Sequence, residues 1–382
     1  MGTPARILTT HIGSLPRTDR LMELLQRRDA GETVDADEFD EAVEEATRDV
    51  LRRQAAVGLD VANDGEQRRP GFNIYAERRM AGFGEEGTAP RWADLQEFPD
   101  YARKAFEGVK ADVRRLPKAV EPVRYVDDGP IREELDVLSR FVEAEDLDFE
   151  GTFATSVSPG QLAATFPNDH YDSHEAYVFD VAEAMATEYE LIGESEATLQ
   201  VDAPDLLGER HRSYQDQSLA EFKETVRTGV EAINRGLANV PAENVRLHAC
   251  WGNYEGPHHL DVELEEILPL LYEADVGALS LELANPRHNH EYRAFEEHPL
   301  PDDTVLIPGV VDVKTNVVEH PELVAERIER AADAVGDPAR VMAAADCGFG
   351  TLVGWRTVDR EIAWTKLESL VEGAAVASER LF

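Results

Sequence analysis

The chain contains two cysteines, and each stands where a soft divalent metal could use it. Cys250 follows His248 by two residues in Arg246-Leu247-His248-Ala249-Cys250-Trp251-Gly252. Cys347 lies in Ala345-Asp346-Cys347-Gly348-Phe349-Gly350. Thiolate and imidazole ligands in tetrahedral array suit zinc. Along an extended strand, residues i and i+2 face the same way, so His248 and Cys250 can aim at one point. If Cys347 ends another strand of the same sheet, three ligands converge and one position stays open for chemistry. Taken alone, two cysteines are more often small core residues. A disulfide is the other use, but the rest of the chain gives no sign of secretion.

Converging ligands need a scaffold, and the pattern supplies one. Short β-rich runs alternate with amphipathic stretches nearly to the end. Strand candidates are 7–12, 59–62, 122–126, 151–157, 198–201, 245–250, 278–283, 305–311 and 341–345. Helical patterns cover 36–56, 172–192, 219–237, 263–272, 322–335 and 358–379; in 322–335, Leu323, Val324, Ile328, Ala331 and Val335 keep helical spacing. Repeated strand–helix alternation predicts α/β architecture with a parallel sheet. The expectation is a (β/α)8 TIM barrel spanning 1–382 as one catalytic domain. Nine strand candidates are one too many, so one belongs to a hairpin or accessory strand. The pattern is least regular between Arg68 and Lys118, where 72–80 reads as an excursion after the second strand and 82–88 as an exposed loop.

Chemistry in such a barrel gathers at the C-terminal strand ends. Those ends carry His11-Ile12-Gly13-Ser14, Asp64-Gly65-Glu66, Asp202-Ala203-Pro204, His248-Ala249-Cys250, Glu282, Asp312-Val313-Lys314 and Asp346-Cys347-Gly348. Nearly every strand thus closes on polar or metal-capable groups. In these segments the chain resembles the cobalamin-independent methionine synthase family, specifically its C-terminal catalytic barrel. The run from Thr9 to Arg17 resembles that barrel's opening motif, Asp60 to Glu66 the next, and Gln200-Val201-Asp202 the strand with the substrate-binding Asp. His248-Ala249-Cys250, Ser280-Leu281-Glu282 and Asp346-Cys347-Gly348 match the three zinc-ligand segments in order. The likeness runs from about residue 7 to 378.

The resemblance implies zinc held by His248, Cys250 and Cys347, with Glu282 as fourth ligand when substrate is absent. Ile12, Gly13, Ser14, Glu66 and Asp202 would hold the amino-acid part of a thiol substrate, and Asp202 and Lys314 are the candidate catalytic residues. A thiol on such an ion loses its proton at neutral pH and becomes a nucleophile for an electrophilic carbon. The implied reaction moves a methyl group from a methyl-folate or corrinoid donor to homocysteine, forming methionine. Glu66, Asp202, Gly13 and Ser14 also admit plainer roles in turns and caps. His258, His259, His288 and His290 read as solvated loop residues.

Two departures from the family pattern bear on the donor. Ala203 stands where the synthases carry a glutamate. Lys314 stands near the place of a histidine proton donor; a lysine there could donate a proton if burial lowered its pKa. The run 250–259 also resembles a short-chain branch containing epoxyalkane:coenzyme M transferases, so thiol alkylation by epoxide opening is the alternative. A non-catalytic zinc- or thiol-binding protein is the reading from another class.

Composition bounds the partners. The formal net charge of −39 opposes nucleic acid and anionic membrane surfaces; the partners that the resemblance implies are a small-molecule thiol and a methyl donor. No run approaches the ~20 apolar residues of a membrane span. The opening Met1-Gly2-Thr3-Pro4-Ala5-Arg6 lacks a signal-peptide pattern, so a cytoplasmic location is expected. Oligomeric state is not readable. Acid spread along the chain, against only six lysines, predicts a halophilic protein whose self-repulsion is screened by salt. Circular dichroism from molar to millimolar salt should show loss of structure as salt falls; an unchanged fold would remove the idea.

Overall fold

The apolar runs become short strands. The computed structural model describes residues 6–88, 90–105, 115–355 and 357–382. The first five residues, read above as lacking a leader, lie outside them. The strands are β1 (Leu8–Thr9), β2 (Val61–Ala62), β3 (Met80–Thr88), β4 (Arg115–Tyr125), β5 (Gly151–Val157), β6 (Thr198–Asp202), β7 (Val245–Ala249), β8 (Ala278–Leu281), β9 (Val305–Val311) and β10 (Met342–Ala345). Eight of them pair in parallel in the order β1-β10-β9-β8-β7-β6-β5-β2. This is the expected TIM barrel. Buried on both faces, its strands read as continuous apolar runs rather than alternating ones.

The seam between β1 and β2 is closed mainly by one side chain. Asp60 N–H donates to the Thr9 carbonyl at 3.1 Å. Its carboxylate accepts from the Thr9 N–H at 2.7 Å and the Thr9 hydroxyl at 2.9 Å. Arg6 pairs with the other carboxylate oxygen at 2.7 Å. A side chain here does the work of a ladder.

The ninth strand candidate, 122–126, lies in β4, which pairs antiparallel with β3 as a hairpin outside the barrel. The stretch 82–88, expected to be an exposed loop, is therefore most of a strand. Its glycines hid it. The ladder shifts register between Ala81 and Phe83, and Gly82 (φ +105°) lies so close to β4 that a Cβ would sit 2.6 Å from the Pro122 carbonyl oxygen. A bulge with a close backbone approach needs glycine. The hairpin leaves the barrel after β2, where the excursion was expected.

All six expected helices form, at Ala36–Val57, His174–Gly193, Leu219–Gly236, Leu264–Leu271, Pro321–Val335 and Arg360–Leu381. Helix Ala36–Val57 shows why its ends fall where they do. Asp35 accepts the Glu38 N–H at 3.0 Å, and Gly58 takes the left-handed conformation that ends the helix. Helices Asp19–Asp29, Gly129–Ala144 and Pro159–Thr165 were not anticipated. No helix among the described residues is long and apolar enough to cross a membrane.

Asp60→Ala removes two acceptors' worth of bonding from the seam and leaves the Thr9 groups buried. It is expected to cost about 1–3 kcal/mol in urea denaturation. An unchanged midpoint would mean that packing alone closes the barrel.

Candidate metal and thiol site

β7 carries His248 into the barrel mouth, and Cys250 follows directly past the strand's end. Cys347 lies two residues beyond β10. The imidazole and the two sulfurs come within 4.8 Å of one another, and all three side chains are buried. Both cysteines are free. Neither ring nitrogen of His248 has a hydrogen-bond partner; the Ser280 backbone approaches the ring and favours its charged form, but without hydrogen-bond geometry. Burial, helped by the charge on Arg246, pushes this imidazole down to about 3, so it offers a lone pair at any ordinary pH. The Cys347 sulfur and burial push the Cys250 thiol well up. Two buried thiols and an unpartnered imidazole fit a soft cation, whose charge would favour their deprotonated forms.

Glu282 stands apart from this group. It is fully buried just beyond β8. One carboxylate oxygen accepts from the Lys314 ammonium and from Asn285 Nδ2 at 2.8 Å. The other has no partner. Burial opposes the Lys314 charge, but the carboxylates of Glu282 and Asp346 outweigh it and hold the lysine above its ordinary pKa. The lowered pKa that would make Lys314 a ready proton donor is not what the fold provides. Asp346 accepts the N–H groups of Leu283, Ala284 and Asn285 at 3.0, 2.8 and 2.8 Å. Burial, together with Glu282, pushes it up to about 7.

Across the mouth stand Glu66 and Asp202. Glu66 accepts from the Thr155 hydroxyl at 3.1 Å, and its second oxygen is unpartnered and buried. Gln200 Nε2 donates to the Ile12 carbonyl at 2.6 Å and to Asp202 at 2.7 Å. Burial raises both acids; the Glu66 charge raises Asp202 further, while Arg69 and Arg17 oppose the rise at Glu66. Two desolvated carboxylates with too little positive charge favour a cation between them. Gly13 (φ +139°) permits this packing, since a Cβ there would lie 2.4 Å from a Glu66 oxygen. Ser14 binds the β10 loop: its carbonyl accepts from Phe349 N–H at 2.8 Å and its hydroxyl from Gly350 N–H at 3.3 Å.

A cavity of about 1080 Å³ has Ile12, Glu66, Asp202, His248, Cys250 and Cys347 in its wall. Phe72, Trp92 and Trp355 line it as well. Gly13, Ser14, Glu282 and Lys314 are not part of that wall. Of the expected residues, the fold therefore brings six to one cavity and sets four around it. Trp92, Arg17, Gln200, Asn285 and Asp346 were not assigned roles from sequence, although Arg17, Gln200 and Asp346 lie inside the motifs. His259 and His290 are exposed as expected, but His258 and His288 are buried; both carry carboxylate partners that the sequence could not show.

The family model described as "Cobalamin-independent synthase, Catalytic domain" matches residues 7–90 and 160–375. The chain belongs to this family. Among its relatives is a methionine synthase from Thermococcus kodakarensis, 28% identical over 374 residues, covering 98% of this chain and 94% of the relative. Another, from Sulfurisphaera tokodaii, is 27% identical over 376 residues, covering 98% and 93%. A B12-independent methionine synthase from Shewanella sp. W3-18-1, solved with selenomethionine, shares the fold with a TM-score of 0.74 at 19% identity, covering 98% of this chain and 99% of that one. The residues between the two matched segments, 91–159, include β4 and the wall around Trp92.

Gly13→Ala should displace Glu66 and leave the metal group alone. A cationic ligand of Glu66 should then bind about ten- to hundredfold more weakly, the loss of one hydrogen bond to a charged group. Metal content should not change; calorimetry and metal analysis together check this.

Proposed function

We propose that this protein is a zinc-dependent methyltransferase that makes methionine from homocysteine. The observation that carries the reading is one cavity walled by His248, Cys250 and Cys347 and by the paired acids Glu66 and Asp202. A zinc ion held by those three residues would supply the Lewis acid that keeps a thiol ionised at neutral pH. The chain's own groups supply the rest. Glu66 and Asp202 hold the ammonium of the amino acid, and Gln200 keeps Asp202 and the Ile12 carbonyl in register. Lys314 and Asn285 hold one oxygen of Glu282, leaving the other to act as a further ligand.

The volume supports two substrates. An amino acid occupies a fraction of a cavity at the upper end of the ~300–1000 Å³ range of small-molecule sites. The aromatic wall of Phe72, Trp92 and Trp355 suits the methyl donor, a methyl-folate or a corrinoid. The acids argue against coenzyme M, whose sulfonate Glu66 and Asp202 would repel. The whole chain is read as one catalytic barrel working in the cytoplasm, where thiol ligands stay reduced.

Purified protein should carry zinc, and methyl transfer to homocysteine should fall at least ~1000-fold in Cys347→Ser together with loss of the ion from this group. Full activity without metal would sink the mechanism. Assays pairing homocysteine or coenzyme M with methyl donors or epoxides separate this reading from thiol alkylation by epoxide opening.

A further inference from the structure

Three imidazoles and a carboxylate are buried together apart from the ligand group just described. His211 ends the short turn Gly208–His211; His258 and Asp261 follow β7, and His288 follows β8. Asp261 lies at the centre. Its Oδ2 is 2.9 Å from His258 Nδ1 and 2.8 Å from His288 Nε2. Its Oδ1 is 3.1 Å from His211 Nδ1. None of the four side chains is more than 6% exposed.

The opposite ring nitrogens fix where the protons are. His258 Nε2 is 3.0 Å from the Tyr254 carbonyl, which can only accept. His288 Nδ1 is 3.3 Å from a Glu291 carboxylate oxygen. His211 Nε2 is 3.0 Å from the Tyr254 hydroxyl, whose own proton goes to Asp94. Each outward nitrogen is therefore a donor. A neutral imidazole has one N–H, so each inward nitrogen meets Asp261 either with a lone pair or, in an imidazolium, with a second proton. Facing lone pairs repel unless a cation lies between them. At His211 Nδ1 and Asp261 Oδ1 no hydrogen bond joins the two atoms, although both are buried. Histidines that ligate metals commonly give the other N–H to a carboxylate or carbonyl, as His258 and His288 do.

We propose that His258 Nδ1, His288 Nε2 and Asp261 bind a divalent late first-row cation such as zinc, with His211 closing the set. The ligand atoms of the first three lie within 4.8 Å of one another. The set has no thiolate, and four protein ligands make a closed, structural site rather than a catalytic one. The ion braces the cavity wall. Trp251, next to Cys250, stacks on His288 at 3.7 Å, and Trp92 packs on Tyr254 at 4.4 Å.

The test removes the thiol site first. Full-length Cys250→Ser/Cys347→Ser protein, equilibrated with zinc and dialysed, should retain about one ion per chain by mass spectrometry. Cobalt in its place should show ligand-field bands without thiolate charge transfer. In that background Asp261→Asn and, separately, His288→Gln should each abolish the retained metal, while His259→Gln should not. If Asp261→Asn does not fold, His288→Gln decides. A double-serine protein that holds no metal, or retains it in both variants, overturns the site and leaves protons as the bridging cations.

Discussion

A charge taken out of water must meet a partner, and that constraint organises the mouth of this barrel. On one side the chain supplies the partners itself. Lys314 and Asn285 meet one oxygen of Glu282, whose other oxygen stays unpartnered, and three successive backbone N–H groups meet Asp346. On the other side compensation is incomplete. Glu66 keeps an orphan oxygen, and both nitrogens of His248 stand unpartnered. The shortfall is specific in place: it lies at the acids and beside the thiols, where the proposed ammonium and metal ion would meet it. The proposed ligands would complete the electrostatics that folding leaves unfinished.

The same constraint fastens the excursion. Arg79, at the foot of β3, pairs with Glu188 at 2.9 Å and also with Glu134. Tyr75 and Tyr125 donate to Glu188 at 2.7 and 2.6 Å. Burial would raise Glu188, but Arg79 and Arg69 hold it at about 2. Arg69 also pairs with Glu134 at 2.7 Å and donates to the Thr155 hydroxyl at 2.8 Å, which in turn donates to Glu66. A continuous polar path thus joins the hairpin to the acid that faces the cavity. Breaking one member would leave the others buried without partners, which costs more than the pair itself contributes.

How legible this was depended on the kind of signal. The barrel strands were readable because burial on both faces leaves long apolar runs, and the site was readable because its side chains cluster at strand ends. The hairpin was not, since Gly82, Gly84 and Gly87 erase the alternation that marks a strand. Helix Gly129–Ala144 was readable in principle: Ile131, Val137, Leu138 and Phe141 are buried on one face. Pairing was the part least open to sequence. Nothing in the local run around Lys314 says that its partner is Glu282, thirty-two residues earlier. His258 and His288 looked solvated because turn residues and charges surround them, while the carboxylate that buries them, Asp261, acts only through the fold.

These pairings also explain how so acidic a chain divides its charge. Cations are scarce, and several are committed to the interior: Arg17, Arg69, Arg79, Arg246, Lys314 and Lys366 are all buried. Lys366 is fully buried against Glu319 at 2.7 Å, and Arg246 lies 3.5 Å over the Phe153 ring. Such cations balance internal acids and cannot relieve repulsion outside. The exterior keeps its excess of Asp and Glu, with arginines that pair across exposed helices, as Arg380 does with Glu322 and Glu329. Exposed pairs of that kind contribute about 0–1 kcal/mol each. Packing and the internal ion pairs must therefore hold the barrel together against its own surface. Solvent cations drawn to that surface screen the repulsion there, while inside the barrel the protein's own charges decide the balance.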